Sequence, residues 1–217
     1  MYELKSSHRS WLALAIFALG IFTVGTSNPS SGGNGGIITT ALQATQIPHQ
    51  SPEKHISRYA SFSNEPVLIA DLKIKGRPMQ INSSVAAKED WLDGLAFKVK
   101  NVSNKGIVLV YIELLFPETK LNGGNVIAFD IRYGADTRLQ TAPENEKTLQ
   151  PGDQAEFTIG DTLYKKIRRA VETRTPFENI NSIQINILKV IFDDDTAWST
   201  GSFMHRDPTD VKKWIDN

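Results

Sequence analysis

The stretch LAFKVKNVSNKGIVLVYIELLF, residues 95–116, decides the fold of this chain. Its first part alternates apolar residues with Lys98 and Lys100, which places the apolar side chains on one side of a strand. Residues 101–106 (NVSNKG) are turn formers, and residues 107–116 (IVLVYIELLF) form a dense apolar segment typical of a buried strand. The stretch therefore predicts two successive strands separated by a short turn.

Similar segments recur along the chain. Further strands are predicted at residues 67–76, 126–134, 155–159, 180–192 and 196–203, with the last two joined across Asp193–Asp195. Six or seven strands with short turns predict a mainly all-β fold, an antiparallel immunoglobulin-like β-sandwich.

One segment has helical rather than strand periodicity. Residues 161–173 (DTLYKKIRRAVET) place apolar side chains on one face and a basic cluster, residues 165–169, on or beside the other. Asp161 is predicted to cap the helix. The basic face is typical of a solvated helix surface, while a phosphate-binding or nucleic-acid-binding surface is the alternative. We therefore expect one amphipathic helix inserted between strands.

The N-terminal part indicates export. Trp11–Gly25 is almost wholly apolar and follows a short head that contains Lys5 and Arg9, a charge arrangement that keeps the head in the cytoplasm. Residues 1–27 are therefore interpreted as a signal peptide or an uncleaved N-terminal membrane anchor, a hydrophobic helix with residues 11–25 in the membrane if it is retained. Residues 28–64 are interpreted as a flexible linker and residues 65–217 as the β-sandwich domain. The expected location is extracytoplasmic, either membrane-anchored or secreted and periplasmic.

Composition excludes several classes of function. The chain has no cysteine, so disulfides, thiolate metal sites and cysteine nucleophiles are absent. With 24 basic and 24 acidic residues its formal net charge is zero, which gives no reason to expect nucleic acid as a partner. No catalytic motif occurs, so we expect no enzyme, no catalytic residues and no cofactor.

A few residues remain as candidates for binding. Asp193, Asp194 and Asp195 offer carboxylate oxygens for calcium, although a hairpin turn explains the same run. The loop residues Asn101, Asn104 and Lys105 are candidates for contact with a partner. Trp198 is a further candidate for binding, although a tryptophan near a strand end more often packs in the core, which is the favoured interpretation. We expect the loop with NVSNKG and the turn with DDDT to form one available end of the sandwich.

Two segments resemble a known family, and a third resembles other exported proteins. FKVKNVSNKGIVLVYIELLF (97–116) and LQPGDQAEFTI (149–159) resemble parts of the small exported bacterial modules of the FxLYD and related immunoglobulin-like kind. VIFDDDTAWSTG (190–201) resembles the ending of uncharacterised exported bacterial proteins, with Asp195 where that pattern has glycine. The resemblance implies an immunoglobulin-like sandwich that binds or adheres, and it brings no catalytic residues.

These observations predict a non-enzymatic extracytoplasmic β-sandwich module that binds another envelope protein or a small ligand. Its available surfaces are the loop end and any exposed sheet edge able to accept an added strand. An envelope enzyme or accessory subunit acting on glycans is one alternative, and a calcium-dependent adhesive module is the other. The oligomeric state is left open.

Overall fold

The computed structural model describes residues 52–121, 123–141 and 147–216. The segments interpreted as signal peptide or anchor (1–27), and the linker up to residue 51, lie outside the described residues. Within the described part, no helix is long and apolar enough to cross a membrane. The elements, in chain order, are β1 (Glu53–Arg58), β2 (Val67–Ile74), β3 (Arg77–Pro78), β4 (Ser83–Ala86), β5 (Leu95–Asn101), β6 (Ile107–Phe116), β7 (Ile127–Gly134), β8 (Gln154–Thr158), α1 (Asp161–Val171), β9 (Ser182–Phe192), β10 (Thr196–Ser199), β11 (Ser202–Arg206) and β12 (Trp214–Asp216).

The larger sheet is organised around β9. On one side β9 pairs with β6, which pairs with the edge strand β7, all antiparallel. On its other side the first half of β9 pairs with β1, in parallel, and the second half pairs with β10. The sheet therefore divides into two arms, β1–β4 and β10–β11–β12.

The smaller sheet has the order β3-β2-β5-β8 and is antiparallel. Its strands β5 and β8 bury alternate side chains, as the period-two pattern predicts, and β2 does so on either side of a register shift between Ala70 and Lys73. Buried residues from both sheets and from α1 form one hydrophobic cluster, which includes Phe97, Ile112, Ile167 and Ile185. The prediction of a mostly β fold with one helix is confirmed.

Three local predictions differ from the structure. Glu53–Arg58, assigned to the linker, is the strand β1, with Ile56 fully buried. The predicted strand at 196–203 is a hairpin of β10 and β11, because Thr200 and Gly201 both adopt positive φ, as a two-residue turn requires. Gly160, not Asp161, is the N-cap of α1, and Asp161 lies in the first turn, paired with Lys165.

Two bulges shape the central pair β6–β9. The register shifts at Val108 on β6 and at Leu188 on β9, so each strand has one extra residue there. The freed carbonyl of Leu188 accepts a hydrogen bond from Ser199 Oγ at 2.8 Å. The carbonyl of Val108 accepts one from Ala135 N at 3.0 Å, and it lies against Gly134. A side chain at residue 134 would collide with that carbonyl.

Gly134 and Gly152 therefore form a matched pair for mutation. Both have positive φ, 74° and 90°, but a Cβ at residue 152 would meet nothing within 4 Å. Gly152→Ala is expected to lower the free energy of unfolding by about 1 kcal/mol through backbone strain alone. Gly134→Ala is expected to lower it by about 3 kcal/mol or more, since the clash adds to the strain. Urea unfolding measures both, and equal losses would contradict the role of the Val108 carbonyl.

Candidate functional site

The loop NVSNKG and the turn DDDT lie together at one end of the two sheets. Asp193 N donates to Gly106 O at 2.9 Å, and Lys105 Nζ pairs with Asp194 Oδ2 at 2.7 Å. Lys105 Nζ also donates to Thr196 Oγ1 at 2.9 Å. The two segments are therefore in direct contact, and their polar side chains are bonded to one another.

Asn101 is a structural residue of this end. Its side chain is fully buried, and Nδ2 donates to Lys105 O at 2.8 Å and to Leu149 O at 2.9 Å. Its Oδ1 accepts from the N–H and the hydroxyl of Ser103. Its hydrogen bonds hold the loop and join it to Leu149, and within the loop Val102 and Asn104 are the residues exposed to solvent.

Two of the three candidate calcium ligands face cations. The carboxylate of Asp195 pairs with Arg138 and with Arg206, and Asp194 pairs with Lys105. The hydrogen bond from Arg138 holds the pKa of Asp195 below its usual value. Asp195 has φ 63°, the left-handed conformation of a turn residue. Among the residues that the structure describes, no three metal-binding side chains are grouped.

A buried ionic cluster joins the turn to the C-terminal strands. Arg206 donates to Asp136 Oδ1 at 2.8 Å and to Asp195 Oδ1 at 3.2 Å, and its guanidinium lies 4.3 Å from the ring centroid of Trp214. Lys189 Nζ lies 4.1 Å from the same ring. Burial lowers the pKa of Lys189 to about 8, with Asp136 opposing the shift and Arg206 adding to it. This cluster fixes β12 and the preceding loop.

Trp198 belongs to the core. It is fully buried, donates from Nε1 to Asn64 Oδ1 at 3.2 Å, and packs edge-on against Phe62 at a centroid distance of 5.7 Å. The interpretation of Trp198 as a core residue is confirmed, and its indole is not presented to a ligand.

An open groove lies elsewhere, beside β3 and β4. β3 is an edge of the smaller sheet and β4 an edge of the larger one. The groove has a volume of about 350 Å³. Its floor is apolar, formed by the buried side chains of Ile74 and Trp91 and the partly buried Met79 and Val85.

The rim of the groove is cationic. Lys75, Arg77 and Lys88 are exposed there, against the single acidic lining residue Asp90. Lys75 pairs with Asp90, and this hydrogen bond lowers the pKa of the carboxyl group. The ion pair is exposed and contributes little to stability. Arg77 and Lys88 remain available to an anionic group, since no ion pair with a described residue occupies them.

No family model matches the chain, and no curated protein or solved structure shows significant similarity to it.

Sequence reasoning placed two of the candidate segments together but missed the groove. Residues 77–92 carry no clear periodicity, and SSVA (83–86) is too short to read as a strand. β4 exists because it pairs with β1, some thirty residues earlier. The glycine of the dipeptide Lys75–Gly76 was the available sequence signal for the turn into β3. In the structure both residues adopt positive φ, 49° and 77°.

The buried amide of Asn101 yields a stability prediction. Asn101→Ala removes four hydrogen bonds of a buried side chain, among them the one that the Ser103 N–H donates, and we expect the free energy of unfolding to fall by about 2 kcal/mol or more. The control is Asn104→Ala in the same loop, expected to change it by less than about 0.5 kcal/mol. Denaturant unfolding of both variants provides the measurement. A small effect at residue 101 would show that the loop holds without this amide.

Lys189 yields a prediction about pH. Its pKa in the folded state is about 8, below the ordinary 10.5. Between these values the unfolded chain binds more protons, so the contribution of Lys189 to stability rises with pH. The stability of the wild type relative to Lys189→Met is therefore expected to rise from pH 8 to pH 10. Urea unfolding at several pH values measures this, and a constant difference would contradict the lowered pKa.

Proposed function

We propose that the chain is a non-enzymatic, extracytoplasmic β-sandwich module that binds a polypeptide segment of another envelope protein in the groove beside β3 and β4. The observation that carries this proposal is the combination of an apolar floor with a cationic rim. Such a surface favours a segment that has both an apolar and an acidic side chain. An apolar side chain that covers Pro78, Met79 and Val85 removes their accessible area from water. Arg77 and Lys88 supply charge opposite to that of the acidic one.

The lining residues support binding rather than catalysis. Lys75 and Asp90 form an exposed pair with each other, and the other charged lining residues are cations. General acid–base chemistry in a cleft depends on groups positioned within hydrogen-bond reach of a reacting atom. Steering and holding an anionic partner requires only exposed positive charge beside an apolar surface.

The strand order supports an immunoglobulin-like sandwich. One sheet contains β2, β5 and β8, while the other contains β7, β6, β9 and β10 in that order. This is the division of strands A, B and E from C′, C, F and G in immunoglobulin-type domains. The parallel pairing of β1 with β9 is an addition to that scheme. Modules of this architecture present their edges and end loops for recognition.

The extracytoplasmic location rests on the N-terminal sequence. The apolar residues 11–25 follow a head with Lys5 and Arg9, and an uncharged tract of serine, glycine and asparagine follows them. If this run is retained the module is anchored in the membrane, and if it is cleaved the module is released. Intact mass of the protein purified from its envelope distinguishes the two forms.

The groove is tested with a library of random dodecapeptides displayed on phage. The full chain in neutral lipid nanodiscs is the target, and empty nanodiscs remove peptides that bind lipid. We expect enriched peptides to combine an apolar residue with aspartate or glutamate. The double variant Arg77→Glu/Lys88→Glu is expected to bind the enriched peptide about tenfold more weakly or worse, because it reverses the charge of the rim.

A matched control makes the same change in net charge on α1 instead of at the groove. Lys166 and Arg169 are exposed on α1, and Lys166→Glu/Arg169→Glu is expected to leave the affinity within about twofold. Equal losses of affinity in the two double variants would show that the net charge of the chain, and not the rim of the groove, determines binding. Failure to enrich any peptide would overturn the proposed function.

A further inference from the structure

We propose that the bound segment joins the larger sheet as an extra strand beside β4, an inference that rests on the proposed function and specifies its mode of binding. Strand addition uses the backbone hydrogen bonds of an open edge for affinity and alternate side chains for specificity. β4 borders the groove through Val85 and Ala86, so an added strand there would lie over the groove.

The free edge of β4 has two outward residues. Ala87 N donates to Pro52 O, so Ala87 bonds towards β1. In antiparallel pairing the bonded positions alternate along the strand. Ser84 and Ala86 therefore direct their N–H and C=O groups away from β1. His55, opposite Ser84, confirms this alternation because its N–H donates to Asn181 O on the other side of β1. No described residue accepts from or donates to the backbone of Ser84 or Ala86 on the open side.

β4 differs from the other sheet edges in its residues. Proteins protect open edges with charged side chains and proline. Among the edges that the structure describes, β3 contains Arg77 and Pro78, and charged residues also lie on β7, β8 and β12. β4 reads SSVA, with no charge and no proline. It is the edge that presents the least obstacle to an incoming strand.

The charge of the groove selects the occupant. Two copies of the chain paired through β4 would bring two cationic rims together, with Arg77 and Lys88 repeated on each side. Like charges held together cost free energy, whereas an acidic side chain on a foreign strand is attracted. Side chains of an added strand alternate between the two faces of the sheet. One set would therefore cover the apolar floor while an acidic residue meets the rim.

The decisive variant is Ser84→Pro in the full chain. Its N–H faces away from β1, so proline there removes no native ladder bond, and proline is tolerated at such edge positions. We expect the dodecapeptide enriched on the wild type to bind this variant about tenfold more weakly or worse, since one hydrogen bond is lost and the ring blocks the edge. Ser84→Ala retains the N–H and is expected to bind within about twofold.

A second measurement does not depend on the folding of a variant. The enriched peptide is synthesised with a single N-methyl group at each position in turn, and its affinity for the wild-type chain is measured. Strand addition predicts losses at alternate positions, because only every second N–H of an added strand faces β4. Losses without that alternation would overturn the inference.

The outcomes separate this inference from the proposed function. Weak binding by Arg77→Glu/Lys88→Glu together with normal binding by Ser84→Pro would keep the groove as the binding site and overturn strand addition. Native mass spectrometry counts the copies of the chain in each particle. A dimer of the wild type that Ser84→Pro converts to a monomer would identify a second copy as the occupant of the edge and overturn the foreign strand.

Discussion

The backbone of β9 must be hydrogen-bonded along both of its edges, and along one edge two different strands pair with it. β6 covers one edge from Gln184 to Phe192. On the other edge β1 covers the first residues in parallel and β10 covers the last ones antiparallel. An unpaired buried backbone group costs about as much as a lost hydrogen bond. The pairing of both β1 and β10 with one edge of β9 therefore determines where the larger sheet divides and which strands become its edges.

The β1 arm is held by a buried amine as well as by its ladder. Lys54 is fully buried, and its Nζ donates to Ile180 O at 2.9 Å and to Asn181 Oδ1 at 2.8 Å. Burial lowers its pKa, against the attraction of Glu118 and Glu89. Trp91 Nε1 donates to the same carbonyl of Ile180, at 3.2 Å. One carbonyl thus ties β1 to the tryptophan that forms part of the groove floor.

The strands with clear alternation, and the helix, could be predicted from sequence because their burial follows a short-range period. β5, β8 and the buried face of α1 are examples, with Ile167 and Val171 fully buried as expected. β4 and the groove could not be predicted, since a four-residue strand is defined by a partner distant in sequence. Apart from Trp198, the site candidates were chosen because they are polar residues in turns, yet the buried hydrogen bonds of Asn101 show that such a residue can have a purely structural role.

The parallel pairing of β1 with β9 also has a kinetic consequence. Lys54 on β1 bonds to a residue 126 positions later in the chain. During synthesis β1 can pair with β4 early, but its pairing with β9 waits until residues 182–185 have been made, and closing so large a loop is entropically costly. Proteins dominated by such distant pairings fold slowly. The arm of β1 and β4 should thus join the larger sheet late, and a nascent domain would expose the edge of β1 that pairs with β9 for most of its synthesis.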